Sequence, residues 1–433
     1  MSNHSAPLDA FAVNSRRRRL MQALAYGSSA WAMPSVWAQN DDNKRTGGGR
    51  LVLLFLRGAY DGLSALVPYG DPNYYAARPN IAIPKPDGTN QTALALDANF
   101  GLHPAMAALL PLWKEGVLSV VPAAGSPDAT RSHFDAQHHW ETGVPGKSGH
   151  TDGWMNMLAG LHGDALRNGA VAIGVGEANP MILAGASAVQ RVPKGQAATR
   201  QGALGDQRTR EAVLNLYAGD DALSRTFRTG ADSRAQTAST LSMDADGHTM
   251  DSTQMQAANN GAGSAQGLLL DAQHLGTLMR QNKQLRIGFL SAGGWDTHAN
   301  QGNVTGALAN NLGNLASTLV QLRRDFSQPN DVVLVCSEFG RTTAENGTRG
   351  TDHGHGNALW LLGNKVNGGR WHGAWDGLAR GNLHENRDLP VRHDFRAVFA
   401  QVLRTNQGLR ATELDTLFPG FAWDAALNGL MLG

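Results

Sequence analysis

The sequence predicts an α/β fold, with a mostly parallel central sheet and helices on both of its faces. Short, continuously apolar segments, which are typical of buried strands, alternate with longer stretches of helical character. The 433 residues are 42% hydrophobic and 17% charged, which excludes intrinsic disorder and a coiled coil. Glycine is unusually abundant, with 52 residues, and indicates many tight turns and close approaches of backbone to ligand.

Five segments have the composition of buried central strands. The first reads LVLLFL at residues 51–56 and is stopped by Arg57-Gly58. Strands of parallel sheets are covered on both faces, so they read as continuous apolar runs. The other four segments are residues 117–122, 170–175, 285–290 and 331–336, and helical stretches lie between them at residues 102–114, 133–140, 268–281 and 312–325. This alternation favours one large domain over residues 51–433 rather than two of average size.

Residues 1–38 are typical of a cleavable twin-arginine signal peptide. Four arginines at 16–19 precede an apolar stretch at 20–33 that is too short to span a bilayer, and Ala38 ends the segment. A basic tail before an ordinary helix is the alternative, but Pro34 and the glycine within the stretch disfavour a helix. Cleavage after Ala38 removes four arginines and one aspartate, so the net charge changes from +1 to −2.

These features predict export by the twin-arginine (Tat) translocase to the periplasm or the extracellular space. No later segment has about 18 uninterrupted apolar residues, so we expect no stable membrane span after cleavage. The balance of 37 basic and 36 acidic residues, without a basic stripe after the N-terminus, argues against nucleic acid as a partner. The single cysteine, Cys336, excludes an internal disulfide framework and a cysteine-based zinc site.

Two segments have a different composition from the predicted domain core. Residues 39–50 are a Gly-rich linker, and residues 195–267 form an insertion rich in Ala, Gly, Gln, Ser, Thr and Asp. Within the insertion we expect a short helix at 209–217 and a flexible or lid-like segment at 233–263. Disorder is the expectation for residues 259–267.

Four short segments after predicted strands hold the acids and histidines that could act together. Ligands of parallel α/β sheets bind at the carboxyl ends of the strands. The first segment holds Asp61, in an Asp-Gly pair that is either a turn or a ligand. The second holds Ser132, with Thr130 nearby, before the helix predicted from His133. A hydroxyl there either caps the helix or serves as a nucleophile.

The third and fourth segments favour metal ligation. Asp296 and His298, after Gly293-Gly294, can point the same way in extended chain and share a cation. The fourth segment contains Glu338 at a strand end and then three further candidates, Asp352, His353 and His355, in a Gly-rich loop. Carboxylates and imidazoles without thiolates suit Zn²⁺, Mn²⁺, Mg²⁺ or Ca²⁺.

These motifs resemble those of a bacterial exported family of unknown function whose fold belongs to the alkaline-phosphatase and sulfatase superfamily. The resemblance covers about residues 51–403, and its most specific pieces are GGWDTHANQ at 293–301, SEFGRT at 337–342, GTDHG at 350–354 and RSHFDAQ at 131–137. It implies a pair of divalent cations held by Asp, His and Glu beside a hydroxyl nucleophile that accepts a phosphoryl or sulfuryl group from a small anionic ester.

Carried over position by position, the resemblance implies Asp61, Asp296, His298, Glu338, Asp352 and His353 as metal ligands. Ser132 is implied as the nucleophile, with Thr130 in reserve, and Arg341 or Arg131 would hold the free oxygens of the substrate. The chain departs from the pattern where Glu338-Phe339 replaces an Asp-His pair, so one imidazole is missing. A second cation would then be weak or absent, or His355 or His133 would supply the ligand.

Two functions follow as expectations. The first is an exported metal-dependent hydrolase of phosphate or sulfate esters. The alternative is a non-catalytic exported binding or scaffold protein that keeps the fold and a degenerate metal site, which the missing imidazole favours. The Cys-x-Pro-Ser-Arg motif that ordinary sulfatases require is not in the sequence.

Overall fold

The computed structural model describes residues 48–146, 149–162, 169–199, 204, 206–242 and 262–433. The predicted signal peptide, and the predicted linker up to residue 47, lie outside these ranges. No helix among the described residues is long and apolar enough to cross a membrane.

Twelve strands are present in the described residues. They are β1 Leu51–Leu56, β2 Leu66–Val67, β3 Leu94–Ala95, β4 Gly101–Leu102, β5 Leu118–Gly125, β6 Ala172–Gly176, β7 Val189–Pro193, β8 Gly263–Ser264, β9 Ile287–Gly293, β10 Val332–Cys336, β11 Asn357–Gly363 and β12 His393–Asp394. Nine of them form one sheet in the order β12-β5-β11-β10-β1-β9-β6-β7, with β8 beside β9, and β2-β4-β3 form a small second sheet. Within the large sheet of the described chain, only the two pairings of β11 are antiparallel.

Eleven α-helices are present in the same ranges. They are α1 Gly62–Ala65, α2 Pro72–Ala77, α3 Leu110–Lys114, α4 His133–Thr142, α5 Trp154–Gly160, α6 Gln207–Leu216, α7 Ala222–Ser242, α8 Leu268–Gln281, α9 Ala307–Asp325, α10 Phe395–Asn406 and α11 Ala411–Leu417. Short 3₁₀ helices occupy Pro104–Leu109, Met181–Leu183, Gly195–Thr199, Ala265–Gly267, Arg380–Asn382 and Ala425–Leu427.

Strand β1 shows why the sheet is covered on both faces. All six of its side chains are buried, and alternate residues of a strand point to opposite faces. Leu51, Leu53 and Phe55 belong to an apolar core built with residues of α4, α5, α10 and α11. On the opposite face Val52 lies beside Leu275 of α8, near Gly288. The predicted fold class, a mostly parallel sheet between helical layers, is therefore confirmed.

The predicted elements match the observed ones in position, with changes at their ends. All five predicted strands are present, and α8 occupies the predicted residues 268–281. The helix predicted at 102–114 is a 3₁₀ helix followed by α3, because Pro111, inside the predicted helix, has no N–H to donate. The sequence reasoning did not identify β11 or α10.

Residues 196–242 separate from the rest as a compact unit of their own. Its helix α6 lies where a short helix was expected, at 209–217.

The expectation of a flexible segment from residue 233 was wrong as far as residue 242, because α7 continues to Ser242 with an amphipathic pattern. Residues 262–267, expected to be disordered, form β8 and a 3₁₀ turn instead. The remaining part of the predicted lid, residues 243–261, lies outside the described residues.

Candidate metal centre

The four segments expected to act together meet at one edge of the large sheet. Asp296 and His298 follow β9, Glu338 follows β10, and His133 is the first residue of α4, on the connection after β5. Because β11 is antiparallel, the residues before it, including His353, return to the edge where the parallel strands end. The turn after β1 fits against this edge only with glycine at position 58, where φ is +110° and a Cβ would lie 2.8 Å from the Asp296 nitrogen.

Three imidazoles and one carboxylate form the centre of this edge. The ligand atoms of His133, Asp296 and His353 all lie within 4.8 Å of one another. His353 Nε2 is 3.1 Å from His133 Nε2 and 3.3 Å from Asp296 Oδ1. His298 Nε2 joins them, at 3.0 Å from His353 Nε2 and 2.9 Å from Asp296 Oδ1. We call these four residues the imidazole–Asp296 cluster.

The outer ring nitrogen of each imidazole contacts an oxygen acceptor. His133 Nδ1 donates to Glu338 Oε1 at 2.7 Å, and His353 Nδ1 donates to the Arg131 carbonyl at 2.9 Å. His298 Nδ1 lies 3.2 Å from Asp352 Oδ1. A carbonyl or carboxylate oxygen can only accept, so the proton of each neutral ring sits on Nδ1 and the Nε2 lone pair faces the cluster. This arrangement is the usual support for metal-binding histidines.

The spacing within the cluster fits a shared cation. Ligand atoms about 2.0–2.2 Å from a tetrahedral cation are separated from one another by roughly 3.3–3.6 Å. The two Nε2–Nε2 distances of 3.0 and 3.1 Å are slightly shorter than this separation. Without a cation, protonated His133 can donate from Nε2 to His353 Nε2, and a cation between the two atoms would replace that proton and accept both lone pairs. The residues present therefore fit a divalent cation such as Zn²⁺ or Mn²⁺.

Fixed charges around the cluster keep its acids ionised. Burial raises the pKa of Asp296, but His133, His353 and Arg341 lower it by more, so the pKa lies well below its usual value. Burial also raises the pKa of Glu338, and His133 and Gln137 outweigh that effect and lower it. Burial lowers the pKa of His133, but Asp296 and Glu338 raise it to about 9. A cation at this position would therefore displace a proton from His133.

Glu338 and Asp352 support the histidines from outside the cluster. Glu338 Oε1 accepts from the Gly58 nitrogen, Gln137 Nε2 and His133 Nδ1, all at 2.7–2.9 Å, and the side chain is buried. Asp352 Oδ1 lies near His298 Nδ1 and is half exposed. Both were expected to be ligands. In the structure each carboxylate instead contacts the outer nitrogen of a histidine.

Asp61 is not brought to the cluster. Its carboxylate is fully buried and pairs with Arg78 at 2.6 and 3.0 Å. Ser64 Oγ and Gln301 Nε2 also donate to it, each at 2.7 Å. Arg78 and these bonds lower its pKa despite burial. Asp61 was expected to be a metal ligand, and in the structure the Arg78 guanidinium occupies the position beside its carboxylate.

Arg341 and Ser132 also have structural partners. The Arg341 guanidinium is buried and donates to Asp296 Oδ1 at 2.5 Å. It also donates to the carbonyl oxygens of residues 58, 59, 295 and 351. It positions Asp296 rather than facing a substrate. Ser132 Oγ accepts from the Asp135 nitrogen at 3.4 Å and is the N-cap of α4. Of the two interpretations left open for this hydroxyl, the structure shows the cap.

His133 is the imidazole that joins the cluster, and His355 is not. His355 is buried beside His384, with ring centroids 4.6 Å apart, and burial lowers its pKa to about 4. The sequence reasoning missed Gln137, which donates to Glu338 from one turn along α4. The i, i+4 spacing from His133 was the available signal, since residues four apart lie on one helix face.

Comparisons with known proteins identify the family. Two solved alkaline phosphatases show some likeness. The enzyme from the Antarctic bacterium TAB5 is 12% identical, with a TM-score of 0.34, covering 83% of this chain and 99% of that one. The cold-active enzyme from a psychrophilic Shewanella is 10% identical, with a TM-score of 0.28, covering 67% of this chain and 68% of that one. No protein with a curated description matches. The family model described as "Protein of unknown function (DUF1501)" matches residues 103–418, and the chain belongs to that family.

Proposed function

We propose that this protein is an exported, metal-dependent hydrolase that acts on small phosphate or sulfate esters at the imidazole–Asp296 cluster. The observation that carries the proposal is that the ligand atoms of His133, Asp296 and His353 lie within 4.8 Å of one another, with His298 Nε2 beside two of them and with each outer nitrogen in contact with an acceptor. Export by the Tat translocase belongs to the same proposal, from the sequence of residues 1–38.

The solvent exposure of the cluster favours a catalytic metal site over a structural one. The side chains of Asp296, His298 and His353 are 22%, 43% and 24% exposed. Structural zinc sites are closed by four protein ligands, whereas catalytic sites keep one position open to water or substrate. A cation bound here would polarise an ester oxygen and stabilise the charge that develops during displacement.

The chain's own residues divide the remaining tasks. His133, His353 and Asp296 would hold the cation, with His298 at the exposed side. Arg341 fixes the orientation of Asp296, and Glu338 fixes that of His133. A small anionic ester suits this centre because a cation on a neutral imidazole set keeps a positive charge that attracts phosphate or sulfate.

A non-catalytic exported binding protein is the second candidate. The observation that favours it is the engagement of Ser132 in a helix cap and of Arg341 in the protein interior. The Ser132 hydroxyl and the Arg341 guanidinium, both expected to act on a substrate, therefore bond to other parts of the protein.

The test is ester hydrolysis by the mature protein loaded separately with Zn²⁺, Mn²⁺, Mg²⁺ and Ca²⁺. An aryl phosphate, a phosphodiester and an aryl sulfate cover the proposed substrates. Asp296→Asn and His133→Ala should lower kcat/KM at least about 100-fold. Asp135→Asn and His138→Ala are matched controls on α4, outside the cluster, and should behave as the unmodified protein. Hydrolysis no faster than that of Asp296→Asn under any metal would reject the hydrolase and favour the binding protein.

A further inference from the structure

The residues expected to hold two cations provide ligand atoms for one. Within the part of the chain that the structure describes, one group of three or more acids and histidines lies close enough to share a cation, and it is His133, Asp296 and His353. His298 extends this group through contacts to two of its members. The other expected ligands, Asp61, Glu338 and Asp352, are held elsewhere.

Asp61 is unavailable because an arginine neutralises it. Both carboxylate oxygens accept from Arg78, and both side chains are fully buried. A divalent cation at Asp61 would lie within a few ångströms of the guanidinium, where repulsion between like charges is strong in a buried environment. Arg78 also donates to Ser64 Oγ and to the carbonyls of Thr342 and Thr343, so it cannot move aside without breaking five hydrogen bonds.

Glu338 is unavailable because it is fixed by the hydrogen bonds that one of its oxygens accepts. Oε1 accepts three hydrogen bonds, and Oε2 lies 2.9 Å from Ser337 Oγ, whose single proton is shared with the Leu56 carbonyl. Turning the carboxylate toward a cation would leave buried donors unpaired, which is unfavourable. Asp352 is half exposed and already contacts Asn346 and His298.

We propose that the centre holds one divalent cation per chain and that water, rather than Ser132, attacks the ester. This inference rests on the proposed function and specifies its chemistry. Ser132 Oγ is engaged as the cap of α4, so water is the nucleophile that we assign. The water oxygen bonds to phosphorus or sulfur as the bond to the ester oxygen breaks. The proton that the water loses ends on the leaving alcohol.

The first test is the metal content of the mature protein after equilibration with excess Zn²⁺ or Mn²⁺ and removal of unbound metal. One cation per folded chain is expected, and two would overturn the proposal. The double variant Asp61→Asn/Arg78→Met removes the buried pair together, and it should keep the one cation if it folds. Loss of that cation in the folded variant would also overturn the proposal. The count for the unmodified protein decides the question whether or not the variant folds.

The second test is product analysis during hydrolysis of an aryl phosphate in ethanolamine buffer. Direct attack by water gives inorganic phosphate alone. Phosphoethanolamine among the products would reveal a phosphorylated protein intermediate and overturn the assignment of water. Two bound cations with hydrolysis would reject this inference and leave the proposed function intact. One bound cation without hydrolysis of any ester would reject the proposed function, and attack by water with it, while the single-cation assignment stands.

Discussion

At the scale of single residues, His133 links the cluster to the protein interior. Its Nε2 faces His353 and its Nδ1 donates to Glu338, which is itself held by Gln137 and the Gly58 nitrogen. The orientation of one imidazole therefore depends on a buried carboxylate that does not touch the cation position. Outer partners of this kind commonly change metal affinity about 10–100-fold when they are replaced.

Glu338→Gln should weaken binding of Zn²⁺ about 10–100-fold. The amide keeps the shape of the side chain but removes the negative charge that makes the His133 ring a stronger ligand. Competition with a chromophoric chelator measures the affinity. Asp135→Asn, an exposed change on α4, is the control and should leave the affinity as it is. Unchanged affinity in folded Glu338→Gln would mean that Glu338 does not support His133.

Ser132→Ala should lower the free energy of unfolding by about 0.5–2 kcal/mol through the loss of the α4 cap. The lower part of this range is expected, because the bond from the Asp135 nitrogen is long at 3.4 Å. Urea denaturation of the metal-free protein measures the change. A Ser132→Asp variant, which can also cap, should restore most of the stability. No loss in Ser132→Ala would contradict the cap.

The sequence predicted which residues reach this edge of the sheet, but not which partners all of their side chains contact. Asp296, His298 and His353 were expected together, and the structure places them together, because each lies where a strand begins or ends at the same edge. Asp61 also follows a strand end, but its carboxylate pairs with Arg78, 17 positions further along the chain. Position at a strand end indicates which edge a residue reaches. It does not indicate which partner the side chain finds there.

At the scale of elements, a buried polar network joins the loops that carry the cluster. Gln301 donates to Asp61 and accepts from Thr297 and Thr351. Thr297 lies between Asp296 and His298, and Thr351 is two residues before His353. The Asp61–Arg78 pair therefore anchors the two ligand loops without contributing a ligand. Gly350 allows the close approach of these loops, since a Cβ there would lie 2.3 Å from the His298 carbonyl oxygen.

Asp61→Asn should lower the free energy of unfolding by about 3–5 kcal/mol, because it leaves the buried Arg78 charge without its partner. Thermal or urea denaturation measures the change. Removing both charges, in Asp61→Asn/Arg78→Met, should cost less than Asp61→Asn alone. A double variant less stable than Asp61→Asn would contradict the ion pair as the cause.

Secondary structure was more predictable than the connections between elements. Unbroken apolar runs predict buried strands such as β1, and an amphipathic period predicts helix α8. Strand β11 also has an apolar run, but its antiparallel direction depends on pairing with β5 and β10, which local sequence does not encode. That direction brings His353 to the cluster. Helix α7 was missed because its Ala, Ser and Thr content is also typical of loops.

At the scale of the whole molecule, stability should depend on pH through Asp271 in α8. Its carboxylate accepts from the Gly195 nitrogen at 2.7 Å, and burial raises its pKa from 3.8 to about 6. The folded protein thus holds this proton more tightly than the unfolded chain. The resulting stabilisation is complete below about pH 4 and is lost as the pH rises through 6, a change of about 3 kcal/mol.

The free energy of unfolding of Asp271→Asn should therefore compare more favourably with that of the unmodified protein at pH 7.5 than it does at pH 4. The amide cannot ionise, and its oxygen can still accept from Gly195. Urea denaturation of both proteins at the two pH values gives the difference, and Asp135→Asn serves as an exposed control without this dependence. An equal stability difference at pH 4 and pH 7.5 would show that Asp271 titrates normally.

In the whole molecule, we expect one edge of the large sheet to assemble one cation site from His133, Asp296, His298 and His353. Anomalous X-ray diffraction from crystals of the Zn²⁺-loaded protein, recorded on both sides of the zinc absorption edge, would locate the bound cation. One strong peak per chain is predicted, about 2.0–2.2 Å from the Nε2 atoms of His133 and His353 and from an oxygen of Asp296. A peak at Asp61, a second peak of equal strength, or the absence of a peak at the cluster would contradict the account.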